Sequence, residues 1–485
     1  MIDNKLKIIA VLKLGENLMK ETKVAVFGTG FFYQKQKEKL YANCNIEVCA
    51  FFDNNKERWG AELDGIMIYS PQNVNYVQYD YIVLMSGYAT DMYEQLIHLG
   101  VNQCKILYWG EFLARYLDKR IIYHAVNVEK IENREKALFV LHSIDYGGSA
   151  MTAFYASKIM QKKNYKVDLI ASTGDIRLIN EINANGIDVT ICEALPYNFD
   201  KAWYREYKVV LVNTFLMIKC ACEISHDKPV LWWIHEAGVS YDAVMKEFSD
   251  YADKDNMKYL NILAVSNIAQ RNFNTYFPYV IKETLCFGIP DSRMKLKMHE
   301  KMILAIIGNV DKVKSQDIFL KAACKVVTDV ETEFWVIGNM GQDKYCQDIL
   351  ELAENDARVK IKGVLTRKEM HNAFSQIDIV VCPSCEETMS IAIVEGMMFG
   401  KVCITTENTG VADYIQNGEN GFVVPVGDIE ALRKRMQWIV DNRAQMNRIG
   451  RKARETYEKY FSMEIFGERL EKAVNETIEK WKQRG

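Results

Sequence analysis

The sequence predicts an α/β protein of three Rossmann-like, doubly wound domains, the last two forming a pair with a cleft between them. Three observations carry this reading. A chain of 485 residues is too long for one hydrophobic core. Short apolar runs alternate with turns and helical stretches, as in a parallel sheet covered by helices on both faces. That alternation begins afresh three times along the chain.

The first series opens with KVAVFGTG at 23–30 and continues through IEVCAFFD, DYIVLMS and KILYW, which predicts an N-terminal accessory domain over residues 1–123. The charged stretch NVEKIENREK separates it from a second domain over 137–292, with strands in ALFVLH, YKVDLIAS, KVVLVN, KPVLWWIH and NILAVS. MILAIIG at 302 then leads EFWVIG, DIVVCPS, KVCITT and GFVVPV, a third domain over 299–462. A charged amphipathic helix over 463–485 is expected to pack back on the second domain. With seven prolines and no low-complexity tract there is little room for long linkers, so the domains should touch.

Composition excludes several classes. A net charge of -3, from 61 basic and 64 acidic residues, is wrong for a protein that neutralises many phosphates of a nucleic acid. No window approaches the roughly 20 apolar residues of a membrane span, and lysines break the short apolar run at the N-terminus. The 12 cysteines are scattered through candidate core segments rather than forming a dense disulfide framework, which favours a reducing cytoplasm. Cys382 and Cys385 have metal-ligand spacing but no second pair or histidine cluster. The acidic triplet Asp253, Lys254 and Asp255 lies in a polar segment rather than at a strand end, so no metal site is expected.

The chemistry concentrates in PSCEETMSIAIVEGMMFG, residues 383–400, where a strand runs into an apolar helix. Ile391, Val394 and Met398 share a helical face, and Glu395 falls beside Ile391 by the four-residue rule. A buried carboxylate must be satisfied, either by a backbone donor or Arg or by a ligand diol. Ser390 is a plausible N-cap, and Glu387 precedes the helix. From Ser390 to Glu395 the helix advances ~7.5 Å, so the two acids address opposite ends of an extended ligand. Between them the helix N-terminus offers amides and partial positive charge to a diphosphate.

The string Pro383, Ser384, Glu387 and Glu395 resembles the signature of retaining glycosyltransferases of family 4, which have the GT-B fold. The resemblance covers about residues 137–485. It implies that Glu387 contacts the donor sugar, that Glu395 holds the nucleotide ribose, and that Thr388, Met389, Ser390 and Ile391 line the donor site. GNVDKVKSQDIFLKA is similar to the family's phosphate-binding strand, turn and helix, with Lys314 at the phosphate-binding lysine position. YGGSAMTAFYASKIM is similar to its glycine loop, so Gly147 and Gly148 would approach the diphosphate, and His235 matches a histidine beside the reacting sugar. Two departures stand out: Asn309 replaces a common arginine, and Thr388, Met389 and Ser390 replace Gly-Phe-Gly.

In the first domain, Gly28 and Gly30 fit two glycines of a dinucleotide fingerprint, Tyr33 takes the place of the third, and Asp53 ends the next strand where a ribose diol would be held. The region resembles Rossmann-like domains appended to bacterial polysaccharide and sugar-modifying enzymes, which implies nucleotide binding, docking of a partner enzyme or oligomerisation. Lys158, Lys162 and Lys163 form a basic helix face that would meet anionic lipid at the inner face of the membrane or simply be solvated.

The resemblance thus implies a cytoplasmic, metal-independent, retaining transfer of a sugar from a nucleotide diphosphate, UDP ahead of GDP, to a glycan or lipid-linked acceptor of a bacterial surface polysaccharide. No cofactor beyond the donor is expected. The competing expectations are a sugar-nucleotide epimerase of similar architecture and an inactive glycosyltransferase-like partner protein. An oxidoreductase built on the first domain is disfavoured by Tyr33.

Overall fold

A computed structural model of the chain describes residues 9–12, 22–42, 45–117, 119–126, 134–238, 241–277, 280–292 and 301–484. Among them lie three sheets dominated by parallel pairing, with helices packed against them. In each sheet the strand that opens the series is central and its successors are added first to one side and then to the other, which creates a switch point. In the third domain the switch lies between Met302–Ile307 and Ile379–Cys382, in the second between Glu135–Ile144 and Val209–Val212, and in the first between Thr22–Phe27 and Tyr81–Leu84. Ligand crevices in such sheets form beyond the carboxyl ends of the strands at the switch, because the flanking loops part there.

The central strands are buried on both faces, which explains their continuous rather than alternating apolar runs: Val209–Val212 and Val230–Ile234 are buried at every position. The helices start at recognisable caps. Ser390 accepts from the Ile393 amide, Thr366 and Glu369 form a capping box, and Ser462 accepts from the Ile465 amide at the head of the terminal helix Met463–Lys482.

The boundary expected at residue 123 lies elsewhere. The strand Lys119–Tyr123 leaves the first domain and pairs antiparallel with Asp188–Cys192, and Ile9–Leu12 adds beyond it. The second domain's sheet therefore has eight strands, with two antiparallel edge strands contributed by segments that the sequence assigned to the first domain. An antiparallel edge on a parallel sheet needs no crossover helix, so nothing in the local pattern distinguishes such a strand from the unit before it.

The terminal helix Met463–Lys482 packs on Gly148–Lys162, Val230–Ile234 and Leu260–Ala264, where Asn261 Nδ2 donates to Thr477 Oγ1 at 2.8 Å. This covers one face of Gly148–Lys162 and leaves Lys162 and Lys163 of the expected basic face exposed. Lys163 is paired with Glu471 at 2.5 Å, and residues 152–157, 159 and 160 are buried. The two crossings between the second and third domains lie side by side, with the Ile289 amide donating to Phe461 O at 2.9 Å and the Tyr457 hydroxyl to Ile289 O at 2.9 Å. Among the described residues no helix is long and apolar enough to cross a membrane.

Candidate active site

The loops at the switch points of the second and third domains face each other. In the third domain, residues 308–315 form a turn held from within: the Lys314 amide donates to Asp311 Oδ1 at 2.9 Å. Buried Gln316 takes a bond from the Asp311 amide and gives one to Asn309 O. The turn delivers Lys314 to Glu387, and the two side chains form an ion pair. Burial works against the Lys314 charge, but Glu387 beside it more than compensates and holds the ammonium above the ordinary lysine range. Asn309, in the place of the family's arginine, is exposed.

Glu387 is fixed by its backbone. Its amide donates to Asn408 O at 3.1 Å and its carbonyl accepts from the Gly410 amide at 2.9 Å, so residue 387 bridges to residue 409. Ser390 caps the helix Ile391–Met398, and Met389 is buried behind it. The face that carries Glu395 differs from expectation. Ile393, Val394, Gly396, Met397 and Met398 are buried against the core, while Ile391 and Glu395 lie on the partly exposed side that borders the cleft. The acid therefore sits at the rim of the apolar stripe, where one side is open to a ligand. Burial pushes its carboxyl up to about 7, with Arg367 pulling the other way. Arg367 itself bridges the domains by pairing with Glu181 at 2.6 Å.

From the second domain, Gly147 caps the helix Gly148–Lys162 and its amide donates to Asp145 Oδ1 at 2.7 Å. A Cβ on Gly147 would lie 2.6 Å from that carboxylate, and one on Gly148 would come within 3.4 Å of Ile391 Cδ1 across the cleft. The glycine loop and the helix Ile391–Met398 are thus in near contact. His235 ends the strand Val230–Ile234, and its Nε2 meets Asn213 Oδ1 at 3.0 Å. Asn213 Nδ2 donates to Ser149 O and Oγ, which leaves Oδ1 as the acceptor and assigns the imidazole proton to Nε2. Burial pushes His235 down to about 3, so it is neutral and presents a bare Nδ1. Next to it, Glu236 accepts from Thr214 Oγ1 at 2.5 Å and from the His235 amide at 3.0 Å.

Glu387, Lys314, Thr388, His235, Gly148, Ile391 and Glu395 therefore share one cleft. The first-domain candidates do not. Gly28 has φ +103, and a Cβ there would lie 2.7 Å from Met85 O, so only glycine suits the turn. Asp53 is bonded within its own domain: its carboxylate accepts from the Thr29 amide at 2.9 Å, the Thr29 hydroxyl, the Asn55 amide at 2.8 Å and Arg58 at 3.3 Å. Tyr33, in the third glycine's place, is fully buried, packs edge-on against Phe51 and donates to Asp64 at 2.6 Å. A cavity of about 350 Å³ lies beyond Thr29 and Gly30, walled by Arg58 and Glu62. Cys382 is buried and Cys385 exposed. Among the described residues no group of three His, Cys, Asp or Glu is placed to hold a metal ion.

Sequence reasoning passed over Asn213, Glu236, Glu386 and Asn272. Asn213 ends a strand at a switch point, and that position was the available signal. Glu386 and Asn272 gave none, since they meet only across the cleft.

The fold is that of GT-B glycosyltransferases. Anabaena HepE, solved in complex with UDP and glucose, superposes with a TM-score of 0.60 over 71% of this chain and 100% of its own at 16% identity. A glycosyltransferase of Rickettsia africae gives 0.60 over 72% and 100% at 16% identity. The sequence comparisons narrow the class: residues 289–456 match the glycosyl transferases group 1, and residues 20–107 match a family described as C2185-like, N-terminal. The capsular polysaccharide biosynthesis glycosyltransferase CapM of Staphylococcus aureus is 24% identical over 223 residues, 44% of this chain and 58% of CapM. The N-acetyl-alpha-D-glucosaminyl L-malate synthase of Bacillus anthracis is 28% identical over 167 residues, 34% of this chain and 42% of its own length. The chain thus spans less than two thirds of the length of these relatives. The group 1 match thus falls on the third domain, and the likeness of the paired domains to the solved structures is one of fold.

Proposed function

We propose that this chain is a retaining glycosyltransferase that moves a sugar from a UDP-sugar to a glycan or lipid-linked acceptor in the assembly of a bacterial surface polysaccharide. The observation that carries the reading is the Lys314–Glu387 ion pair at the start of the helix that bears Glu395. These groups provide, in a row, an acceptor for sugar hydroxyls, positive charge for a diphosphate and a carboxylate for a ribose. UDP is favoured over GDP because a protein of the same fold binds it.

In this mechanism Glu387 and His235 orient the donor sugar. Lys314 and the amides at the helix N-terminus receive the charge that develops as the bond from the anomeric carbon to the β-phosphate oxygen breaks. The acceptor hydroxyl attacks that carbon from the face the phosphate leaves, and its proton passes to the departing phosphate. His235, held neutral, can accept a bond at Nδ1 but does not act as an acid near neutral pH. Because the cationic elements come from the protein, activity is expected to persist in EDTA.

A thermal-shift titration with UDP, GDP, ADP, CMP and NAD on the wild type and Glu395→Ala tests this. At a hundred times its dissociation constant, a ligand stabilises the fold by about 2.7 kcal/mol. Selective stabilisation by UDP that Glu395→Ala abolishes is the expected result. A response to NAD alone would move the ligand site to the first domain, and silence toward every nucleotide would leave an inactive partner protein as the better reading.

A further inference from the structure

Glu387 is flanked by two residues that bind the opposite domain. Glu386 Oε1 accepts from Asn272 Nδ2 at 2.6 Å and from the Gly238 amide at 3.2 Å, both in the second domain. Thr388 Oγ1 donates to the carbonyl of His235 at 2.7 Å. Residue 387 makes an isolated bridge beside residue 409, and the chain bends at 385 and again at 388. The side chains of residues 386 and 388 both bond to the second domain, while that of 387 between them pairs with Lys314 of the third.

The contacts continue on the same seam. Gly410, whose amide holds Glu387 O, lies so close to Ser266 that a Cβ on it would come within 2.6 Å of Ser266 Cβ, and Asn267 Nδ2 donates to Asp413 Oδ2 at 2.9 Å. The two chain crossings at Ile289 and Phe461 lie side by side, which is the arrangement in which two domains swing about a common line.

We propose that Glu386 and Thr388 are positioning residues that latch the second and third domains in the closed arrangement, so that closure itself fixes Glu387 and the backbone of His235 relative to each other. The role rests on the donor site described above, although the latch consists of protein atoms alone. It gives Thr388 a purpose that a glycine at this position cannot serve, because a glycine has no hydroxyl to bond the opposite domain. Mobile domains without the latch would still bind nucleotide through third-domain groups, but would seldom bring the two halves of the site together.

The test uses the full chain and the variants Thr388→Val, which keeps the shape and removes the donor, Thr388→Ser, which restores it, and Glu386→Ala. Small-angle scattering with no nucleotide added reads the domain arrangement, calorimetry with UDP reads binding, and hydrolysis of UDP-glucose reads turnover. Thr388→Val and Glu386→Ala should show a larger radius of gyration, nearly unchanged UDP affinity and KM, and a kcat lower by about tenfold or more, as expected when reacting groups are misplaced by an ångström. Thr388→Ser should recover both radius and kcat. Circular dichroism separates opening from unfolding, and an unfolded variant is replaced by the milder Glu386→Gln. An unchanged radius in folded Thr388→Val and Glu386→Ala overturns the latch whether or not UDP binds. A wild type that ignores UDP and UDP-glucose overturns the donor site instead, and leaves the scattering result to decide the latch.

Discussion

The carboxyl of Glu395 offers a test with a predictable magnitude. It is the acid expected to hold the ribose, and burial pushes it up to about 7. A carboxyl of that pKa is about nine-tenths ionised at pH 8 and about one-tenth at pH 6. If the ionised form is the one that accepts both ribose hydroxyls, affinity is fully present above pH 7 and lost below it. The expected loss from pH 8 to pH 6 is about tenfold, or roughly 1.4 kcal/mol. UDP-glucose is the right probe, because UDP itself has a terminal phosphate that titrates near pH 6. His235, at about 3, contributes no slope in this window. Glu247, also pushed up to about 7, is bonded to Tyr197 in the contact with the first domain, and burial likewise pushes up Glu236 beside His235, so the slope is assigned by its loss in Glu395→Gln.

The same shift has the opposite sign for stability. A folded-state pKa above the ordinary glutamate value means that the native chain holds more protons than the unfolded chain between about pH 4.5 and 7. The contribution of Glu395 to stability therefore falls as pH rises through that window. Glu395→Gln should abolish the pH slope in UDP-glucose calorimetry, and its melting temperature without nucleotide should gain on the wild type as pH rises. An affinity that is flat from pH 6 to 8, or a slope that survives Glu395→Gln, refutes the assignment.

Lys314→Ala should lower UDP-glucose turnover by about one to two decades, because one charge-assisted contact to the departing diphosphate is lost; an unchanged rate excludes that role. It should also lower the melting temperature, since Glu387 loses its ion-pair partner. Gly410→Ala places a Cβ 1.9 Å from Thr388 O and 2.6 Å from Ser266 Cβ, so about 1 to 3 kcal/mol of stability should be lost in chemical denaturation. A denaturation midpoint like that of the wild type would show that the seam is not closely packed. Gly110→Ala would set a Cβ 2.7 Å from the Tyr197 ring and should loosen the first domain, seen as its faster release in limited proteolysis, with UDP affinity unaltered. Equal proteolysis rates would count against that contact.

What could be read from the sequence was whatever the chain encodes locally. Ser390 announces a helix start, the acids at 387 and 395 stand at fixed offsets from it, and the alternation of strand and helix places them beyond the end of a sheet. What could not be read depends on pairing between distant segments. Lys119–Tyr123 looks like one more strand of the unit before it, yet its hydrogen bonds go to Asp188–Cys192. Asp53 ends a strand at a ribose-binding position, but its Oδ2 is taken up by Thr29 and Arg58, which come from separate turns. The face of Glu395 was misjudged because a four-residue stripe says which residues are neighbours, not which side of them meets the core.

The departures at residues 388–390 show the same limit from the other direction. Read as sequence, replacing Gly-Phe-Gly by Thr-Met-Ser leaves donor identity and phosphate affinity open, with Ser390 as a further hydrogen-bond donor to phosphate. In the fold each side chain has a separate partner: Thr388 bonds the His235 carbonyl, Met389 is buried, and Ser390 caps the Ile393 amide. The bonds of Glu386 and Thr388 span 114 and 153 positions, beyond the reach of any local pattern. A substitution whose effect is open within one segment can thus be a gain in the contact between two, and the two views differ in a measurable way. A degraded loop predicts weaker UDP binding than its glycine variant Thr388→Gly, whereas a loop rebuilt for closure predicts that Thr388→Gly keeps UDP affinity and loses turnover.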